Sequence, residues 1–142
     1  MKRKATAEWT GEIKAGGGKL STESGALDGV GYSFAKRFED EPGTNPEELI
    51  AAAHAGCFSM ALSGHMASAG VTPKSIRTTA TVSLEKQEVG FAITGVHLEV
   101  RGEGEGSEED FQKAAQTARD GCPVSKALAV PITMDASFTA SS

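Results

Sequence analysis

At 142 residues, with 39% apolar and 23% charged side chains, the chain is long enough for one ordinary domain with a core of its own. A net charge of −5 and the lack of a basic cluster exclude a nucleic-acid footprint. The basic start Met1-Lys2-Arg3-Lys4 leads into a polar stretch, not an apolar run, so neither a signal peptide nor a membrane span is expected, and the expected location is cytoplasmic.

The first 40 residues read as short strands between glycine-rich turns. Residues 5–10, 19–24 and 32–38 are the expected strands, the last from the alternation of Tyr32, Phe34 and Phe38. Gly16-Gly17-Gly18 and residues 25–31 are the expected turns, so this part reads as an antiparallel meander. The glycine run is not a phosphate loop, because no lysine-serine or dinucleotide spacing follows it.

A dense helix start comes next. Asn45 suits the N-cap, Pro46 the first helical position, and Glu47 and Glu48 the positive end of the helix dipole. The helix is predicted to run to about residue 69, where Gly70 and Pro73 end it. Its small and apolar residues, among them Ala53, Gly56, Cys57, Met60 and Ala61, recur at three- and four-residue steps, as in a central buried helix. Residues 75–86 and 91–101 are long alternating strands, with Gly95 shifting the phase as a bulge does. Ser107 is predicted to cap a helix over 108–120 that buries Phe111, Ala114, Ala115 and Ala118. Gly121-Cys122-Pro123 opens a short helix to about residue 129, and residues 131–139 form a final strand. With no repeats and no linkers, one α+β domain over residues 1–142 is the expectation.

Two cysteines far apart in sequence fit no zinc pattern, even with three scattered histidines, so they are either inert buried thiols or a redox pair. Cys57 lies on the buried face of its helix, where an apolar setting raises a thiol pKa. Cys122 opens a helix, where free N–H groups favour the thiolate. Residue types alone leave the order of the two open. His54, three residues before Cys57, shares its helix face and reads as a hydrogen-bonded or stacked histidine rather than a base.

The stretch Arg37-Phe38-Glu39, the run Gly43-Thr44-Asn45-Pro46-Glu47-Glu48-Leu49-Ile50 through His54-Ala55-Gly56-Cys57-Phe58-Ser59-Met60, the segment Gly121-Cys122-Pro123-Val124-Ser125 and the opening Glu8-Trp9-Thr10-Gly11 together resemble the osmotically inducible protein C (OsmC) family, nearly end to end. That resemblance implies an α+β fold with antiparallel sheets around a long central helix, in an intertwined homodimer with active sites at the interface. It implies a thiol-dependent peroxidase for organic hydroperoxides that needs no metal, haem or flavin. In that scheme Cys57 attacks the peroxide, Cys122 resolves the product as a disulfide, and Arg37 and Glu47 complete the site, with Glu48 the second choice for the carboxylate. The implied partners are an organic hydroperoxide and a dithiol reductant of lipoyl type, with no nucleic acid and no membrane.

The chemistry suits those residue types. A guanidinium beside Cys57 would favour the thiolate and then the leaving alkoxide, and a carboxylate would fix the guanidinium plane. On a straight helix, ten residues put Glu47 and Cys57 ~15 Å apart and about 80° around the axis. The helix therefore breaks, or Arg37 spans the gap, or Arg37 and Glu47 serve the partner's cysteine, the option favoured here. Phe34, Phe38, Phe58 and Met60 are the expected apolar lining for an alkyl substrate. A redox-sensing or binding module could use the same cysteines without rapid turnover; Arg37 with Glu47 distinguishes the enzyme, since a sensor need not stabilise an alkoxide.

Overall fold

Residues 1–141 are described by the computed structural model, and they fall into two compact units, Met1–Leu49 and the chain from Ile50 on. In the first unit, β1 (Ala5–Thr10), β2 (Gly17–Thr22) and β3 (Val30–Tyr32) form an antiparallel sheet in the order β1-β2-β3. Gly17 and Gly18, expected in a turn, lie instead in β2. Gly18 stands opposite both Trp9 and Tyr32, whose rings meet edge to face at 5.5 Å. A Cβ at Gly18 would collide with both rings, so the glycine is what lets two aromatic side chains cover the strand.

The strand expected over 32–38 ends at Tyr32, and α1 (Phe34–Phe38) follows. Ser33 Oγ accepts from Lys36 N at 3.2 Å, which caps the helix. Phe34 and Phe38 are four residues apart, a spacing that suits either period, and their rings pack at 4.9 Å across one helical turn. Arg37 is therefore a helix residue rather than a strand residue.

Asn45 caps α2 (Pro46–Ser68) as expected, its Oδ1 accepting from Glu48 N at 2.9 Å. The 23-residue helix runs unbroken and supplies a stripe of His54, Phe58, Leu62 and Met66, each fully buried and each four residues from the next. No helix among the described residues is long and apolar enough to cross a membrane.

The second unit holds a three-stranded sheet in the order β4-β5-β6, built from β4 (Thr72–Lys86), β5 (Phe91–Glu105) and β6 (Ile132–Ala140). β4 and β5 are antiparallel, whereas β6 pairs in parallel with β5. The helices α3 (Glu108–Gly121) and α4 (Pro123–Ala127) lie between them in sequence, the kind of crossover that parallel pairing requires. Register shifts between Ser83 and Leu84, whose partners are Gly95 and Ile93, so the bulge expected at Gly95 falls on Thr94 beside it.

Phe58, Leu62 and Met66 pack with Val96, Leu98 and Val100 of β5 and with Phe111, Ala114, Ala115 and Ala118 of α3. Each large side chain in this cluster stabilises the unit by ~1.5–3 kcal/mol through burial. Gly102 lies under Phe111, where a Cβ would come within 2.5 Å of the ring. Gly102 thus keeps β5 and α3 close.

Candidate active site

Cys122 is both the C-cap of α3 and the N-cap of α4. Its N–H donates to Ala118 O at 2.9 Å, closing one helix, and its Sγ accepts from Ser125 N at 3.3 Å, opening the next. Pro123, with no N–H to satisfy, fits the first position of α4. The sequence therefore places a fully buried sulfur at a helix junction.

Cys57, half-buried in the middle of α2, meets this sulfur. The two thiols are free, and Cys122 is near enough to act on the Cys57 thiol. Burial is the largest influence on the Cys57 thiol and pushes its pKa up; the N–H of Val124 pulls it down; Cys122 raises it again. Within this chain the influences on Cys57 are desolvation, a backbone amide and the second thiol.

Arg37 and Glu47 meet in the first unit. Arg37 Nη2 donates to Glu47 Oε1 at 2.7 Å, and Nε reaches both carboxylate oxygens at 3.2 Å. Glu47 is 8% exposed while Glu48 is exposed, which assigns the pairing to Glu47. The guanidinium carbon stands 5.2 Å from the centre of the Phe38 ring, so the charged group is held by a carboxylate on one side and an aromatic on the other.

A cleft of about 320 Å³ beside Arg37 is lined by Trp9, Ile13, Tyr32, Ser33, Phe34 and Phe38. Of the expected apolar lining, Phe34 and Phe38 are here. Phe58 is sealed in the core of the second unit and Met60 is 81% exposed, because each follows its own face of α2.

His54 is hydrogen-bonded, as expected, but sequence reasoning did not identify its partner. Its Nε2 lies 2.7 Å from Ser125 Oγ, and that hydroxyl lies 3.1 Å from Cys122 Sγ. Burial pushes the pKa of His54 down, so the imidazole is neutral at pH 7. Its Nδ1 is buried without a partner among the described residues. A usable signal was present: His54 continues the four-residue stripe of Phe58, Leu62 and Met66, which brings it to the core end nearest α4.

The OsmC-like protein family model matches residues 38–137. The chain is 53% identical over 134 residues to peroxiredoxin OsmC of Escherichia coli K12, covering 94% of each. It is 32% identical over 119 residues to organic hydroperoxide resistance protein-like 1 of Staphylococcus saprophyticus, covering 83% of this chain and 84% of that one. Its fold matches the crystal structure of the organic hydroperoxide resistance protein OhrB of Bacillus subtilis with a TM-score of 0.70 and 29% identity, over 96% of this chain and 98% of that one. An OsmC-like protein of Vibrio cholerae, 15% identical, shares the fold with a TM-score of 0.76 over 96% of this chain and 99% of that one.

Proposed function

The chain belongs to the OsmC-like protein family, and from that premise we propose that it is a thiol-dependent peroxidase that reduces organic hydroperoxides to alcohols. The observation that carries this reading is the meeting of two free thiols, Cys57 and Cys122, inside one unit. Cys57, as thiolate, attacks the terminal peroxide oxygen; the O–O bond breaks, the alkoxide leaves and takes a proton, and Cys57 becomes a sulfenic acid. Cys122 then displaces hydroxide from that sulfur, giving the Cys57–Cys122 disulfide and water. An external dithiol, of lipoyl type by family likeness, restores both thiols by exchange. Every step uses sulfur, with no bound cofactor.

Arg37 stabilises the thiolate and the departing alkoxide, and Glu47 holds the guanidinium plane. The unbroken α2, which sets Glu47 and Cys57 ten residues apart on one helix, supports a homodimer in which Arg37 and Glu47 serve Cys57 of the partner subunit. The aromatic cleft beside Arg37 supports an alkyl or aryl substrate over hydrogen peroxide.

The test is consumption of cumene or tert-butyl hydroperoxide by catalytic amounts of protein with excess dithiol. Many turnovers are expected. One equivalent consumed and then silence would instead identify a redox sensor built on the same cysteines. Cys122→Ser is expected to stop at the sulfenic acid and gain further oxygen under excess peroxide.

A further inference from the structure

Cys122, Ser125 and His54 form a continuous buried chain of hydrogen-bonding atoms. Ser125 Oγ stands 3.1 Å from Cys122 Sγ and 2.7 Å from His54 Nε2, and His54 is fully buried. A hydroxyl can accept from a thiol while donating to an imidazole, so this order of atoms is compatible with passing a proton from Cys122 to His54. The imidazole is otherwise poorly accommodated, because its Nδ1 has no partner among the described residues. A core position filled for packing alone favours an apolar side chain there. With the ring proton on that nitrogen, Nε2 presents its lone pair to Ser125.

We propose that Ser125 and His54 are a proton relay for Cys122: as Cys122 attacks oxidised Cys57, Ser125 Oγ takes the thiol proton and passes its own to His54 Nε2. The S–S bond forms and the Cys57 S–O bond breaks. Hydroxide departs and combines with the proton released from the imidazolium, so water leaves and no net proton is consumed. The backbone N–H of Ser125, 3.3 Å from Cys122 Sγ, steadies the sulfur as it becomes anionic. Ser125 touches the reacting sulfur, whereas His54 acts through Ser125. Burial keeps the imidazole uncharged and able to accept. The inference rests on the peroxidase reading only for the source of oxidised Cys57.

The experiment therefore loads Cys57 by two routes: one equivalent of cumene hydroperoxide, or the aryl disulfide dithiobis-nitrobenzoate, whose adduct Cys122 resolves by releasing thionitrobenzoate. Closure of the Cys57–Cys122 disulfide is followed after each, relative to the rate of loading. Ser125→Ala and His54→Gln, the latter close in volume and unable to take a proton, are expected to slow closure about a hundredfold, and Ser125→Thr to restore most of it. In His54→Gln closure should rise about tenfold per pH unit, following the thiolate fraction, where the wild type is nearly flat around neutral pH. Thermal unfolding confirms that each variant is folded. Closure at the wild-type rate and with the wild-type pH profile in both Ser125→Ala and His54→Gln would overturn the relay. Relay-dependent closure after the aryl disulfide, with no loading by hydroperoxide, would uphold the relay and sink the peroxidase.

Discussion

Arg37 holds Glu47 by two nitrogens, with its shortest contact, Nη2 to Oε1, at 2.7 Å. The two ends of this pair are unequal: the Arg37 side chain is 38% exposed and that of Glu47 10%. A pair this open contributes little to stability, within about 1 kcal/mol. Its value lies in orientation, because a guanidinium aimed by a carboxylate keeps its other N–H donors in a fixed direction.

Glu47→Gln is therefore expected to lower peroxide turnover by about tenfold to a hundredfold while leaving the melting temperature nearly unchanged. Steady-state peroxide assays and thermal unfolding on the same preparation check this. A large loss of stability with intact turnover would make the pair structural.

Mixed dimers test the proposed homodimer and its proposed sharing of sites. A Cys57→Ser subunit combined with an Arg37→Ala, Glu47→Gln subunit is expected to hold one intact site, since the first supplies the guanidinium and the second the sulfur. Activity near half that of the wild type, measured after separating the mixed species, supports sharing. An inactive mixed dimer would place the whole site within one chain.

Stability should fall at both ends of the pH scale, for opposite reasons. His54 has a folded pKa below its ordinary 6.5, so the unfolded chain binds the proton more readily. Unfolding free energy is therefore full above pH 6.5 and is lost as pH falls toward the lowered value. Cys57 has a folded pKa above its ordinary 9.0, so the folded chain keeps that proton longer. The stability this contributes is full below pH 9.0 and is lost as pH rises through the raised value. Denaturant titrations across pH should show the acid slope flattened by His54→Gln and the alkaline slope reduced by Cys57→Ser.

Packing predictions follow from the second unit. Leu62→Ala is expected to cost about 2–5 kcal/mol, since the side chain is wholly enclosed. Gly102→Ala is expected to cost about 1–3 kcal/mol, because the new methyl meets the Phe111 ring, itself buried and unable to swing away. Chemical denaturation measures both.

Much of this architecture was legible from local chemistry. Asn45-Pro46 and Ser107 start helices where their side chains predict, and the phase slip at Gly95 lies one residue from the true bulge. The short helix α1 was not legible, because Phe34 and Phe38 satisfy a strand and a helix alike and five residues are too few for a period to declare itself. Parallel pairing of β6 depends on a crossover whose geometry no local residue encodes. That Cys57 and Cys122 approach each other was suggested by their flanking motifs, while the Val124 amide that acts on Cys57 was not, since it comes from a helix far away in sequence. His54 and Ser125 lie 71 residues apart, and only the closed core brings a histidine of α2 to a serine in the first turn of α4.

Cys122 belongs to two helices at once, ending α3 through its amide and beginning α4 through its sulfur. The disulfide proposed between Cys122 and Cys57 would turn the acceptor of the Ser125 amide from a thiol into a disulfide sulfur, so the start of α4 is the backbone segment that the proposed chemistry would touch first.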